Sequence, residues 1–342
     1  MKQPVYITAA SAISIQEPLS ESWMQHPVVP QGGAAYAREP DYTPFVKPLE
    51  ARRMGKLLKR ATATAQTVLR QTGIARPEAI LTGTGHGCVQ NTLTFLNDLC
   101  QGGEQMLKPT CFMQSTHNTI GSLTGIQTGS HGYNSTYAHG GTSFECALMN
   151  AWDLLQLGRV HNALVSAHDE LTDDYYPMLQ ASGYADGRMT CPTTEASVSC
   201  MLQTAAEGPV LLQGVDVLYR PAPEQLLQAL DALLEEAGLQ RTQVDALLTG
   251  ANGSGTDRAY DPLTHALPQC ELLTYKHLFG ESFSAGALGC YVAQACLRHD
   301  LLPACLRRGG EDRQPAPRHW LVANCFDGTD YSLILLSKCC DY

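Results

Sequence analysis

The chain has 342 residues, 44% of them hydrophobic and 16% charged, which is typical of a globular protein with one large core or two fused ones. Its 33 acidic and 23 basic residues give a net charge of −10, and this disfavours nucleic acid as a partner because phosphate binding needs a basic excess. No apolar run approaches the length of a transmembrane helix, and the first residues lack the apolar stretch of a signal peptide. We therefore expect a cytoplasmic protein without a membrane span.

The 13 cysteines show no C-x-x-C spacing, and most stand singly in apolar runs. We expect them to be small buried hydrophobic residues in a reducing compartment rather than disulfides or metal ligands. The clearest examples are Cys88, Cys146, Cys200, Cys290 and Cys296.

Hydrophobic patterning predicts alternating strands and helices in the first part of the chain. Strands are predicted at residues 5–11, 79–87, 162–171 and 197–203. Helices are predicted at residues 51–73 and 90–100 and in the segment that begins at Pro109. The helix at 51–73 ends at Gly73, a residue type that commonly terminates helices.

A similar order of elements follows in the second part. Strands are predicted at residues 210–217, 244–249, 272–275, 319–324 and 331–337, and helices at 224–238 and 283–298. The repeated order predicts an α/β protein built from two fused halves, residues 1–205 and residues 206–342.

Residues 137–155 are typical of a short strand, an elbow of small residues and an amphipathic helix. Gly140 and Gly141 permit a sharp turn, and Thr142 or Ser143 is expected to cap the helix. Such an elbow places its turn residue at a helix N-terminus, where many enzymes carry a nucleophile. Here the turn residue is glycine, which has no side chain to attack a substrate.

Basic residues follow one face of the predicted helix at 51–73, namely Arg52, Lys56, Lys59 and Arg60. The pattern is compatible with a solvated helix face and with a docking patch for an acidic partner.

Several ordered motifs resemble those of the thiolase-fold β-ketoacyl synthases. Gly141-Thr142-Ser143 stands where that family has Cys-(Ser/Thr)-Ser, and residues 251–256 resemble its A-H-G-T-x-T loop. Residues 276–287 resemble its K-x-x-x-G-H-x-x-G-A-A-G motif, and residues 324–330, with Phe326 and Gly328, resemble its closing turn. The resemblance implies a thiolase-like fold of two pseudo-equivalent βαβαβαββ halves in five layers.

The chain departs from this family at each catalytic position. A condensing synthase uses a cysteine thiolate and two histidines, and those positions are Gly141, Asn252 and Glu281 here. Lys276, which supports the second histidine in the family, is retained, and we expect it to pair with Glu281. We therefore expect no catalytic residue, no cofactor and no metal.

A chain that keeps the synthase motifs but lacks the catalytic residues resembles the chain length factors. It is most similar to the chain length factors of bacterial aryl polyene pathways. The resemblance implies a heterodimer with an active ketosynthase, a carrier protein that delivers the acyl chain, and a tunnel along the subunit interface. It suggests interface or tunnel positions at Phe112, Met113, Gln114, Thr116, His117, Tyr137 and His139. It also suggests carrier docking at Arg52, Arg53, Lys56, Lys59 and Arg60.

Two alternatives stay open. One is an acyltransferase or hydrolase on the same fold that uses His139, Cys146 or Glu281. For His139 we expect core packing or an interface bond, and for Cys146 we expect burial. The other alternative is a homodimeric acyl-binding protein without a ketosynthase partner.

Overall fold

The computed structural model describes residues 3–105, 107–184, 188–204, 208–307 and 309–339. The first half contains five strands and the helices that connect them. These are β1 (Tyr6–Ile13), α1 (Pro48–Ala51), α2 (Lys56–Thr72), β2 (Ala79–Gly83), α3 (Val89–Gly102), α4 (Pro109–Gln114), α5 (Thr119–Thr128), β3 (Tyr133–Tyr137), α6 (Ser143–Gln156), β4 (Asn162–Asp169), α7 (Tyr176–Ala181) and β5 (Ala196–Gln203).

The second half repeats this order with shorter connections. Its elements are β6 (Val210–Tyr219), α8 (Pro223–Glu236), β7 (Ala246–Thr249), α9 (Asp261–Ala266), β8 (Glu271–Thr274), α10 (Lys276–Phe279), α11 (Ala285–His299), β9 (His319–Phe326) and β10 (Asp330–Lys338).

The strands form one ten-stranded sheet in the order β3-β2-β4-β5-β1-β6-β10-β9-β7-β8. The strand order is the same from either edge of the sheet to its centre: β3-β2-β4-β5-β1 from one edge and β8-β7-β9-β10-β6 from the other. Each strand of the first half therefore corresponds to the strand of the second half whose number is higher by five. Strand directions repeat as well: β2 is parallel to β3 and β4, and β7 is parallel to β8 and β9. The halves meet where Tyr6 of β1 pairs with Leu211 of β6.

Two helices lie between the halves and form the central layer of the protein. Helix α6 packs on β2 and β4 of its own half and on β6 of the other, and α11 packs on β9 and β10 and also on β1 and β5. Helix α2 covers the outer face of the first half, and α8 covers that of the second. The predicted α/β fold in five layers is confirmed. The proposed division at residues 205 and 206 lies outside the described residues.

The central helix α11 is buried along almost its whole length, from Ala285 to Leu297. Small residues make this possible, since the segment begins Ala-Gly-Ala and lets neighbouring backbones approach closely. None of the helices within the described ranges is long and apolar enough to cross a membrane.

Two predicted helices are interrupted. Residues 52–55 form a turn that separates α1 from α2, although Gly73 ends α2 in the left-handed conformation as predicted, with φ of 69°. The segment from Pro109 divides into α4 and α5, and the Ser115 hydroxyl donates to the carbonyl of Phe112 at 2.7 Å where α4 ends. Side-chain bonds of this kind compete with helical backbone bonds, so hydroxyl residues favour helix ends.

Arg60 is 2% exposed, so the prediction that it lies on an exposed docking face is wrong. Its Nη2 atom donates to Glu195 Oε1 at 2.7 Å and to Glu39 Oε1 at 2.5 Å. Arg60 shares the inner face of α2 with the buried residues Leu57 and Thr64, at helical spacing. It therefore joins α2 to the strand that begins beside Glu195.

Candidate functional site

The elbow between β3 and α6 has the sharp turn that its glycines predict. Residues 140–142 form one turn of 3-10 helix, and Gly140 has φ of +58°, a left-handed value that favours glycine. Neither Thr142 nor Ser143 caps α6 as predicted. The Ser143 hydroxyl instead accepts the backbone N–H of His139 at 2.8 Å and donates to the carbonyl of Gly140 at 2.7 Å. These two hydrogen bonds join the first residue of α6 to the start of the turn.

The ring of Phe326, the last residue of β9, covers Gly141. A Cβ added to Gly141 would lie 2.1 Å from Cδ2 of Phe326 and 2.8 Å from its Cβ. Non-bonded carbon atoms are favourable at about 3.5–4.0 Å, so no side chain fits unless the ring moves. An aromatic ring thus fills the volume in which a nucleophile would stand.

The other two departures from the family meet in one buried hydrogen-bonded network. Glu281 Oε2 accepts both Asn252 Nδ2 and Lys276 Nζ at 2.8 Å. Lys276 is fully buried and Glu281 is 3% exposed, so the expected Lys276–Glu281 pair forms away from solvent. The other carboxylate oxygen, Oε1, is buried and accepts no hydrogen bond from the described residues.

A second buried carboxyl group, Glu145 on α6, lies close to this network. It is fully buried, and its Oε1 atom accepts the Ser332 hydroxyl at 2.8 Å. It also faces Gly286 of α11, because a Cβ added there would lie 1.8 Å from Glu145 Oε1. Burial raises the pKa of Glu145 to about 6, against the lowering effects of Ser332 and of the charge of Lys276. Glu145 thus joins the elbow helix to the second half of the fold.

Phe326 belongs to a cluster of five aromatic residues whose rings contact one another. We call this cluster the aromatic wall, and its members are His86, Tyr175, Tyr184, Phe283 and Phe326. The rings of Tyr184 and Phe283 stack with centroids 4.9 Å apart, and the ring of Phe326 lies 5.4 Å and 5.3 Å from them. The ring of Phe283 covers Gly85, where an added Cβ would approach it to 2.6 Å. The rings of Phe326 and Phe283 therefore pack directly against the backbones of Gly141 and Gly85, respectively.

Two cavities adjoin the aromatic wall. The inner cavity, about 160 Å³, is lined by Asn252, Ser254, Thr256, Glu281 and Phe326, among others. The outer cavity, about 480 Å³, is lined by the five residues of the wall and by Met178 and Ser182, among others. The two cavities adjoin each other, because they share the lining residues Gly183, Tyr184, Arg188, Phe326 and Asp327.

The residues considered for an alternative enzyme are poorly suited to it. Cys146 is half-buried rather than fully buried, and burial raises the pKa of its thiol to about 11, which leaves the thiol protonated at neutral pH. His139 is exposed, so the expectation of core packing is wrong, and its ring lies 6.4 Å from that of Tyr137. Each cysteine that the structure describes is a free thiol. No group of three metal-binding side chains gathers within the described ranges.

The predicted interface residues lie around one edge of the sheet, where β3 is the outer strand. Phe112 and Met113 on α4 are 57% and 69% exposed, although the ring of Phe112 packs 5.2 Å from that of Phe95 on α3. Other large exposed apolar residues on neighbouring elements are Leu96, Ile126 and Tyr133. Gln114 instead bonds to Asn91 and to the carbonyl of Arg53, both at 2.8 Å, and so holds α4 in place.

Thr116 and His117 follow α4 in the turn before α5, and Tyr137 ends β3. A Cβ added to Gly87 would lie 3.5 Å from Cα of His117, which places this turn against the residues that follow β2. Of the predicted docking residues other than Arg60, three are exposed and Lys59 is half-buried. The exposed three are Arg52, Arg53 and Lys56.

Sequence reasoning missed Glu145 and four residues of the aromatic wall, namely His86, Tyr175, Tyr184 and Phe283. Glu145 gave a usable signal, because a charged residue at helical spacing from buried Leu148 is unusual in an apolar helix. Tyr184 and Phe283 gave none, because only the fold brings them together.

Comparison with known proteins agrees with this architecture. The sequence profile of the family described as "Beta-ketoacyl synthase, N-terminal domain" matches residues 21–246. No curated protein sequence matches the chain significantly.

Solved structures with a similar fold cover nearly the whole chain. One is the ishigamide ketosynthase/chain length factor, with a TM-score of 0.81 and 14% identity over 99% of this chain and 100% of that one. A β-ketoacyl synthase from Burkholderia phymatum STM815 gives the same four values.

The ketosynthase ApeO in complex with its chain length factor ApeC, from Xenorhabdus doucetiae, matches with a TM-score of 0.77 and 14% identity over 98% of each chain. At these identities the structures establish the fold, and the sequence profile, which spans more than half of the 342 residues, establishes the family. The chain belongs to the β-ketoacyl synthase family.

Proposed function

We propose that this chain is a catalytically silent chain length factor, which pairs with an active β-ketoacyl carrier-protein synthase in aryl polyene-type biosynthesis. The observation that carries this proposal is the ring of Phe326 in the volume of a side chain at position 141. A condensing enzyme must form an acyl thioester at that position, and here there is neither a thiol nor room for one.

The charge of the site supports the same conclusion. Decarboxylation of a malonyl group needs donors or positive charge around its carboxylate and thioester oxygens. Glu281 supplies a carboxylate at this place, and Lys276 and Asn252 already donate to it at 2.8 Å. A malonyl carboxylate would therefore meet a like charge and no unoccupied imidazole.

The surface around β3 supports a partner of the same fold. Exposed Phe112 and Met113 lie on α4, which leads into α5, and α5 packs on the outer strand β3. Large exposed apolar patches mark interaction sites. Two of the solved relatives are named as a ketosynthase with a chain length factor. We expect an obligate interface of roughly 2,000 Å² or more, formed by the α3–α5 and β3 surface.

Carrier-protein docking is assigned to the exposed basic residues at the start of α2. Arg52, Arg53 and Lys56 are exposed on a protein of net charge −10, so they form a local exception to its acidic surface. A basic patch of this kind attracts an acidic partner, and the attraction weakens with salt.

The test is co-expression of the tagged chain with a ketosynthase encoded beside it, followed by the mass of the purified complex. A one-to-one heterodimer is expected. Met113→Arg should weaken it, because a charge would enter an apolar interface. Leu157→Arg is the matched control: Leu157 is 71% exposed but lies at the far end of α6 from the elbow.

Three further results complete the test. Phe112→Ala should give longer products in the reconstituted complex, since it removes bulk from the expected tunnel wall. A homodimer that excludes the ketosynthase would contradict the proposal. So would condensation of carrier-bound acyl and malonyl groups by the pure chain.

A further inference from the structure

A third cavity lies beside α2 in the first half of the fold. Its volume of about 330 Å³ is within the usual range of small-molecule sites, about 300–1,000 Å³. Its walls come from the segment before α1, from α2, from the first turn of α3 and from the residues that follow β4. None of the described residues that line it also lines the inner or the outer cavity, so it is a separate feature of the molecule.

Acidic side chains outnumber basic ones in the lining, and we therefore call this space the acidic cavity. Its four carboxyl groups and two cations give the lining a formal charge of −2. These residues are Glu39, Glu170, Asp173 and Glu195, with Lys56 and Arg60. The charge of Arg60 is used within the protein, because its Nη2 atom donates to both Glu195 and Glu39. An excess of negative charge remains for a ligand to neutralise.

Glu170 is the buried carboxyl group of this cavity that lacks a counter-ion. It is 8% exposed, and within the described residues its one hydrogen bond runs from the backbone N–H of Gln90 to Oε1, at 2.8 Å. Burial raises the pKa of Glu170 to about 7, against the lowering effects of that N–H and of the charge of Arg60. A buried carboxylate is costly unless a positive group pairs with it, so a cation in the cavity would be stabilised here.

A second carboxyl group with unused acceptor capacity is Asp173, which is exposed. The hydroxyl of Tyr36 donates to its Oδ1 atom at 2.5 Å and holds it at the cavity, while Oδ2 accepts no hydrogen bond from the part of the chain that the structure describes. Ala37 and Leu171 add buried apolar surface to the same lining. The cavity thus combines one buried carboxylate, one exposed carboxylate and an apolar surface.

We propose that the acidic cavity binds a short aliphatic diamine, with one ammonium group at Glu170 and the other at Asp173. Two positive charges match the formal charge of the lining, and the methylene chain packs on Ala37 and Leu171. An ammonium group has three N–H donors and no acceptor, which suits oxygen atoms that lack donors.

An extended organic cation suits the cavity better than a metal ion. The carboxyl groups do not converge on one point, since no set of three metal-binding side chains gathers within the described ranges. Metal ions such as Ca²⁺ need several oxygen ligands around one centre. An anion or a zwitterion would bring a further negative group beside the four carboxyl groups.

The test titrates three four-carbon compounds against the full chain by calorimetry. 1,4-Diaminobutane has two ammonium groups, 4-aminobutan-1-ol has one, and butane-1,4-diol has none, so each step replaces a charge with a hydroxyl donor. The diamine is expected to bind about tenfold more tightly than the amino alcohol, and the diol more weakly than both. A salt concentration of about 0.15 M screens remote surface charges beyond about 8 Å.

Variants place the binding in the acidic cavity. Glu170→Gln removes the buried charge, retains an oxygen that can accept from Gln90, and should reduce affinity for the diamine by tenfold or more. Glu235→Gln is the matched control, because it makes the same change in net charge at an exposed position on α8. Gln90→Trp should fill the cavity from an exposed position and also reduce affinity. Asn97→Trp, on the same helix but outside the lining, should not.

Equal affinity for the diamine and the amino alcohol would overturn the proposal, because the second carboxylate would then have no role. Unchanged diamine affinity in Glu170→Gln and Gln90→Trp would do the same. An equal loss in Glu170→Gln and Glu235→Gln would also overturn it, since that result indicates general attraction to an acidic protein. The titration contains no ketosynthase, so its outcome is independent of the test for heterodimer formation.

Discussion

The phenyl ring of Phe326 lies directly against the backbone of Gly141, so that a Cβ added to the glycine would be 2.1 Å from the ring. The two residues come from opposite halves of the fold, one from the end of β9 and the other from the elbow before α6. Their contact makes the loss of a nucleophile a matter of packing as well as of chemistry. A cysteine cannot be restored at this position by one substitution.

Gly141→Cys should destabilise the protein and produce no condensing activity. Overpacking of a core position typically reduces stability by about 1–3 kcal/mol, which thermal unfolding would detect. Gly141→Cys combined with Phe326→Ala should recover part of this loss, because the smaller residue makes room for the thiol.

The double variant should still fail to decarboxylate malonyl carrier protein, since Asn252 and Glu281 remain. Full stability of Gly141→Cys alone would show that the ring of Phe326 moves aside freely. That result would remove the packing argument.

Lys276→Met should destabilise the protein by about 3–5 kcal/mol, because it leaves the carboxylate of Glu281 buried and unpaired. Lys276→Met combined with Glu281→Met should be much closer to the parent protein, since both charges are then absent. Denaturant unfolding of both variants measures the difference. A double variant as unstable as the single one would show that Lys276 contributes through contacts other than the Glu281 pair.

Glu145→Gln should become more stable relative to the parent protein as the pH rises from 4.5 to 6. Burial raises the pKa of Glu145 from 4.5 to about 6 in the folded protein, so the unfolded chain ionises first. Ionisation therefore favours unfolding across this interval, by roughly 2 kcal/mol in total, and the effect is constant above it. Glutamine does not ionise and avoids the loss.

The measurement is the difference in unfolding free energy between Glu145→Gln and the parent at several pH values. Other buried acids also titrate here, since burial raises the pKa of Asp169 to about 6 and that of Glu170 to about 7. Their effects are common to both proteins and cancel in the difference. A difference that does not change with pH would contradict an elevated pKa at Glu145.

Arg60→Ala and Lys56→Ala should have opposite consequences although the two residues are one helical turn apart. Arg60→Ala leaves Glu195, 2% exposed, without its ion pair and should reduce stability by about 3–5 kcal/mol. Lys56→Ala should change stability by less than about 0.5 kcal/mol. It should weaken binding of an acidic carrier protein, most strongly at low salt. Equal carrier affinity in Lys56→Ala and the parent would argue against docking at the start of α2.

Sequence patterns predicted the order of strands and helices because burial imposes a periodicity of its own on each type of element. The family resemblance also predicted the pairing of Lys276 with Glu281, since the family has a lysine that supports the histidine at the position of Glu281. Residue type alone did not predict the hydrogen bonds of Ser143. Its hydroxyl could cap the helix or accept the backbone N–H of the earlier residue His139, and serine is suited to both.

Relationships between distant segments were beyond the sequence. Arg60 was predicted to be exposed because three neighbouring basic residues suggested one stripe, while Glu195, its partner, lies 135 positions away. Phe326 was recognised as part of the closing turn, but its contact with Gly141 depends on how the two halves pack. The aromatic wall likewise draws its rings from five separate places in the chain.

The two outer strands of the sheet are equivalent by position but not by chemistry. Strand β3 reads Tyr-Asn-Ser-Thr-Tyr and carries no charge, so its outer backbone groups are available to another strand. Strand β8 begins at Glu271, which pairs with Arg307 at 2.5 Å and Arg313 at 2.9 Å, and charged side chains discourage strand addition. With one receptive edge per chain, edge-to-edge growth stops after two chains. We therefore expect a closed pair rather than an extended filament.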